Sequence, residues 1–319
     1  MNYKISLEEI SKNYQIDSEM EIIFNKIKNY CNQAKKTSLL FDNLTYFLKT
    51  PSKRKRLIKM LAIANLTGGI TENVRKVIFA LELVNSTIFI HDDIIDHDLE
   101  RKNKPTLNKL IGFEKALLIG NMLYFLAIEE LNSLECEESL KKEIISSFSK
   151  SLFRENIGQY LDVHFRNNFF NNSLKTWEDM VLNHSGLYVI SAMVAIAKLN
   201  GRNSIVKLIK DYEENCTLAG AAEDAFVGLI GSKKPKGDLK NKGFTILTSY
   251  ALKEKKSFLE KKKFDNFEEA INSRRVLERT REYIQNKSKK SINSLKFLEE
   301  SYHKNVLKYL VYQILEEIK

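Results

Sequence analysis

The chain has 319 residues, 43% of them hydrophobic, so it can bury a large core, while three prolines and twelve glycines are too little punctuation for a many-stranded fold. Its formal charge of +10 is interleaved along the chain, densest around Lys53–Arg56 and Lys253–Lys263, which argues against a nucleic-acid partner and suits anionic ligands. Cys31, Cys136 and Cys216 lack metal-ligand spacing and read as reduced thiols; the polar start MNYKISLEEISKNY carries no signal peptide, and no run reaches the roughly 18 apolar residues of a membrane span, so the expected location is cytoplasmic.

Apolar positions recur at helical spacing throughout. The segment SLEEISKNYQIDSEMEIIFNKIKNY puts Met20, Phe24 and Ile27 on one face of a first helix. LLFDNLTYFL and RLIKMLAIANL continue as helices, broken near Pro51 and at Gly68–Gly69. Thr71 caps a long helix running through FALELVNSTIFIHDDIID, a polar loop LERKNKPT follows, and Thr106 opens the next stretch. Further helices are expected over about 112–134, 138–167, 175–199, 203–230, 244–262, 266–286 and 289–318. There is no repeat, linker or composition break, which points to a single domain over 1–319 of all-α class.

The chemistry concentrates in HDDIIDHDLERKNKPT. Asp92 and Asp96, four apart, share one helix face, and Asp93 lies about 100° round. Carboxylates so close repel one another unless a cation neutralises them, and hard oxygen ligands with room for phosphate suit Mg²⁺. Arg101 and Lys102 follow in the loop, where a metal-bridged anion would project. A helix C-terminus is itself a poor place for acids, which counts against a purely structural role. His91 reads as a packing residue and His97 as a surface neighbour of the acids.

This segment resembles the first aspartate-rich motif of the trans-isoprenyl diphosphate synthases, and other landmarks fall in the family's order. PSKRKRL resembles the segment whose Lys53 and Arg56 positions hold isopentenyl diphosphate; ENIGQYLD resembles a helix whose Gln159 and Asp162 face the cavity; GLIGSKKPKGDLKNKGFTIL resembles the second motif's trailing loop. The resemblance implies a bundle of long, mostly antiparallel helices around a deep central cavity, acting as a homodimer or as a heteromer with an active paralogue. It implies that Asp92, Asp93, Asp96 and Asp224 carry Mg²⁺ and that Arg101 holds the allylic diphosphate, with His184 and Ser185 at the positions of the family's Lys–Thr pair. Asn85 and Lys102 fall at positions that contact isopentenyl diphosphate. Thr87, five before the motif, and Ile88 beside it lie beneath the growing chain, and so small a residue as Thr87 implies products of at least twenty carbons.

The second half departs from that pattern. DAFVG keeps Asp224 but puts Ala225 and Gly228 where acids belong, Ala221 replaces a glutamine, and the trailing-loop lysine falls at Gly243 or Phe244, with Lys240 and Lys242 close by. The leading expectation is a Mg²⁺-dependent prenyltransferase joining an allylic diphosphate to isopentenyl diphosphate. The alternative is a weak or inactive regulatory subunit of a heteromeric synthase. A class I terpene cyclase is opposed by Ala219, which stands between Asn215 and Glu223 where that class needs a hydroxyl.

Overall fold

The computed structural model describes residues 5–33, 37–50, 52–166, 172–230, 243–262 and 271–319; Lys240 and Lys242 lie outside them. Among these residues the fold is all-α apart from one small hairpin. It divides into two compact units, Met1–Ser146 with Ala195–Arg202, and Ser147–Val194 with Asn203–Lys319.

The first unit holds α1 (Leu7–Asn13), α2 (Ile16–Gln33), α3 (Thr37–Thr45), α4 (Lys55–Thr67) and α5 (Glu72–Ile95). The hairpin β1 (Glu100–Arg101) and β2 (Lys104–Pro105), α6 (Leu107–Ile111) and α7 (Phe113–Asn132) follow. Helix α5 is its axis: Val74, Val77, Ala80, Leu81, Leu83 and Val84 are fully buried, and its side packs along α7. A helix apolar nearly all round has to lie in a core. Thr71 caps it as expected, accepting from the Val74 amide.

The second unit takes most of α8 (Glu138–Phe165), α9 (Leu174–Val181), a π-helical turn over Leu182–Gly186, and most of α10 (Leu187–Leu199). It continues with α11 (Val206–Ile230), α12 (Ile246–Lys262), α13 (Arg274–Ser294) and α14 (Tyr302–Glu316), and its main packing is α11 against α13.

Two expectations are corrected. The first helix is two, because Gln15 takes a left-handed φ of 48° between α1 and α2. The C-terminal break falls at 295–301, not near 287: Ser288 and Ser291 are small, fully buried residues on α13, and Ser291 Oγ donates to the Tyr212 carbonyl of α11 at 2.9 Å. Ser301 then starts α14 by accepting from the Lys304 amide. Thr106 opens the next stretch as expected, at the N-cap position of α6, with its hydroxyl donating to Asp98 O at 2.8 Å rather than to the helix. Leu174–Leu199 is long and apolar enough to cross a membrane by length and composition, yet 61% of its most apolar stretch is buried inside the fold, as in a core helix.

Candidate active site

Helix α5 ends at the acidic motif. Asp96 is its C-cap, its amide donating to Asp92 O at 2.8 Å, while Asp93 is 4% exposed. The chain then folds back through the hairpin, whose two loop residues, Lys102 and Asn103, have φ of 51° and 61°. Positive φ at both loop positions is the turn whose twist matches the strands it joins. Tyr46 fixes the return strand by donating to Pro105 O at 2.5 Å.

The hairpin delivers Arg101 onto the acids: Nε donates to Asp93 Oδ1 at 2.6 Å and Nη2 to Asp92 Oδ2 at 3.0 Å. Burial pushes the Asp93 carboxyl up to about 6, Arg101 pulling against it and Asp92 and Asp98 adding to it. Among the described residues no three His, Cys, Asp or Glu side chains stand close enough together to hold a metal ion by themselves. Mg²⁺ needs no such trio, since it is held by one or two carboxylates together with water and substrate phosphate oxygens. An all-oxygen donor set on one helix end, with a cation already drawn to it, fits that ion.

Beside the acids stands a cluster of cations built on one ring. Phe89 carries the Arg56 guanidinium at 5.3 Å and the Arg101 guanidinium at 5.1 Å from its centroid, and Phe47 stacks on it at 4.8 Å. Lys102 is held below the usual lysine range by burial, then by the charges of Arg101, Arg54 and Lys53. Lys53 is exposed. Asn85 is buried and donates towards Glu82 Oε1 at 3.4 Å. Thr87 is fully buried in the seam with α7, its hydroxyl facing Leu83 O at 3.2 Å and Gly120 O at 3.0 Å, and Ile88 beside it is 6% exposed. His91 packs on Tyr124, with ring centroids 5.8 Å apart, and His97 is exposed, as both were read.

The remaining sequence-derived candidates lie in the second unit. Gln159 is half-buried on α8, and Asp162 pairs with Arg166, one turn on, at 2.8 Å. His184 sits in the π-helical turn with Ser185 Oγ 3.4 Å from Nδ1 and Glu155 Oε1 3.9 Å from Nε2. Asp224 is exposed towards the end of α11, with Ala225 and Gly228 half-buried. Phe89, Arg54, Glu82 and Glu155 were not picked out from the sequence. The legible signal for Glu82 was one acid inside the apolar run FALELV; the roles of Phe89 and Glu155 depend on partners that no local spacing shows.

The family model described as Polyprenyl synthetase matches residues 37–284. A short chain isoprenyl diphosphate synthase of Methanocaldococcus jannaschii is 26% identical over 240 residues, covering 73% of this chain and 72% of the relative. A geranylgeranyl diphosphate synthase of Saccharolobus solfataricus is 28% identical over 251 residues, covering 73% of each. Among solved structures, a geranylgeranyl pyrophosphate synthetase from Pyrococcus horikoshii superposes with a TM-score of 0.83 at 20% identity, over 97% of this chain and 98% of that one. A decaprenyl diphosphate synthase from Rhodobacter capsulatus gives 0.83 at 15% identity, over 98% and 100%. The acidic motif, the cation cluster beside it and the all-α fold thus sit in a chain that belongs to the polyprenyl synthetase family.

Proposed function

We propose that the chain is a Mg²⁺-dependent trans-prenyltransferase, one catalytic domain over 1–319, that joins an allylic prenyl diphosphate to isopentenyl diphosphate. The observation that carries this reading is the juxtaposition of Asp92 and Asp93 with Arg101, and of Arg101 with Arg56 across the Phe89 ring. Asp92, Asp93 and Asp96 are the residues to hold Mg²⁺, with Asp224 as the surviving acid of the second motif; when bound, the ion supplies positive charge against a diphosphate leaving group. Arg101, freed from the acids, holds the allylic diphosphate, and His184, Ser185 and Gln159 are proposed for the same substrate. Lys53, Arg56, Lys102 and Asn85 are proposed to hold isopentenyl diphosphate. The allylic C–O bond then breaks, the isopentenyl double bond attacks the carbocation, and the departing pyrophosphate takes the proton released.

Calorimetry with Mg²⁺ and a non-hydrolysable allylic diphosphate analogue tests the site directly. The Asp92→Ala, Asp96→Ala double variant should lose binding, and undiminished affinity would sink the assignment. Thr87 as the chain-length floor gives products of at least twenty carbons. A location in the cytoplasm and an oligomeric state belong to the same proposal. The oligomer is supported by α7, which exposes Phe113 (51%), Leu118 (55%), Met122 (40%) and Phe125 (75%). Apolar exposure of that kind along one helix marks an interaction face.

A second reading has its own observation. Ala225 and Gly228 stand where acids would complete the second motif, and His184 faces Glu155. A chain with those features could serve as a regulatory subunit that keeps one metal site and tunes an active paralogue.

A further inference from the structure

The turn that begins α4 is held by an unusual residue. Arg54 takes φ 46° and ψ 31°, a left-handed conformation that disfavours any side chain by about 1 to 2 kcal/mol. What holds it there is its own guanidinium. One nitrogen donates to the Leu48 carbonyl, and Nη1 lies 3.7 Å from Glu82 Oε2. Both side chains are out of solvent, at 16% and 5% exposure.

Glu82 is therefore a carboxylate in the core of α5, ten positions before Asp92 on the same helix. Burial is the largest influence and raises its carboxyl above the ordinary carboxylate range, while the charges of Arg54 and then Arg56 and the Asn85 amide pull it back towards the ionised form. A carboxylate this deep is tolerated only when paired and hydrogen-bonded. Each of its partners belongs to, or adjoins, the segment Lys53–Arg56 or is Asn85. A carboxylate kept only for stability would be as well served by an apolar side chain of the same volume. This one instead ties the cation-bearing turn to the helix that ends in the acidic motif.

We infer that Glu82 is a positioning residue for the isopentenyl diphosphate subsite: by holding Arg54 in its left-handed turn, it sets where Lys53 and Arg56 present their charge. The identity of that substrate rests on the function proposed above. Glu82 touches no substrate; it acts through Arg54 and Asn85.

The test is direct binding to the full-length protein. Isopentenyl diphosphate and an allylic diphosphate analogue with Mg²⁺ are titrated separately into the parent, Glu82→Gln, Glu82→Asp and Arg54→Gln, and each is also melted thermally. Loss of the charge in Glu82→Gln should raise the Kd for isopentenyl diphosphate about tenfold, the scale of one charged hydrogen bond, and leave the analogue within about twofold. Glu82→Asp keeps the charge and should recover part of the loss. Arg54→Gln should match Glu82→Gln, and the double variant should add little to either, as expected of residues acting as one unit. A merely structural role would weaken both ligands in step with the melting point, and that outcome, or an unchanged Kd for isopentenyl diphosphate, overturns the inference. Should Glu82→Gln fail to fold, Arg54→Gln and Glu82→Asp still decide by the same split. If the parent itself binds no isopentenyl diphosphate, the function beneath the inference is the part that has failed.

Discussion

Asp93 is a charge that the fold works against until something positive reaches it. Its side chain is 5% exposed, and Arg101 at 2.6 Å offsets only part of the cost of burial. The folded carboxyl takes its proton near 6 against a reference of 3.8, so between those values the folded chain binds more protons than the unfolded one. The group's contribution to stability therefore falls as pH rises from about 4 to 6 and stays low above. Asp93→Asn mimics the protonated form and should remove that penalty. Without Mg²⁺ the variant should be more stable than the parent by about 3 kcal/mol at pH 8, a shift of some two pKa units, and by little at pH 4. Thermal melts of both proteins across that range check it, and a constant difference at every pH would refute it. The same variant should bind Mg²⁺ and diphosphate more weakly, because the strained charge is the one the ion relieves.

At the scale of elements, the position of the acidic motif depends on how closely α5 approaches α7. Gly120 on α7 donates no side chain to that seam: a Cβ there would lie 2.7 Å from His91 Cδ2. Thr87 bridges the same seam by its hydroxyl. Gly120→Ala should gain up to about 1 kcal/mol of helix propensity and lose about 1 to 3 to overpacking, a net destabilisation. In a His91→Ala background the clash is gone, so the same substitution should become neutral or stabilising; chemical denaturation of the four proteins measures the change of sign. This seam also marks what sequence could reveal. Apolar periodicity located the long helices, and the four-residue spacing of Asp92 and Asp96 located the acids. The hairpin escaped because two-residue strands are too short to show a period, and the α13 boundary escaped because the polar stretch around Ser288 and Ser291 carries no apolar signal of its burial. Glu82 and Arg54 are 28 positions apart, and their pairing needs a left-handed turn that no local pattern announces.

At the scale of the whole molecule, the open matter is whether the altered second half slows catalysis or has abandoned it. On the proposed correspondence with the family's motifs, Asp224 is the one acid kept in the second motif and His184 stands at the lysine position; its Nε2 lies 3.9 Å from the buried Glu155 carboxylate. Any positive charge at position 184 would be drawn towards Glu155. Ala225→Asp with Gly228→Asp would rebuild the acids, and His184→Lys would return a longer cation able to neutralise Glu155 and still extend beyond it. Each contact to a leaving group is worth a few kcal/mol at the transition state, and about 1.4 kcal/mol is tenfold in rate. An active but slow enzyme should therefore gain at least about tenfold in turnover from the combined variant, read as incorporation of labelled isopentenyl diphosphate. A chain that serves only as a partner has had no reason to keep the rest of its site in register, and should gain nothing. The complementary measurement mixes the parent chain with an active paralogue from the same source and follows product length and rate. We expect the gain from restoration; its absence, together with a clear effect on the paralogue, would replace the prenyltransferase reading with that of the regulatory subunit.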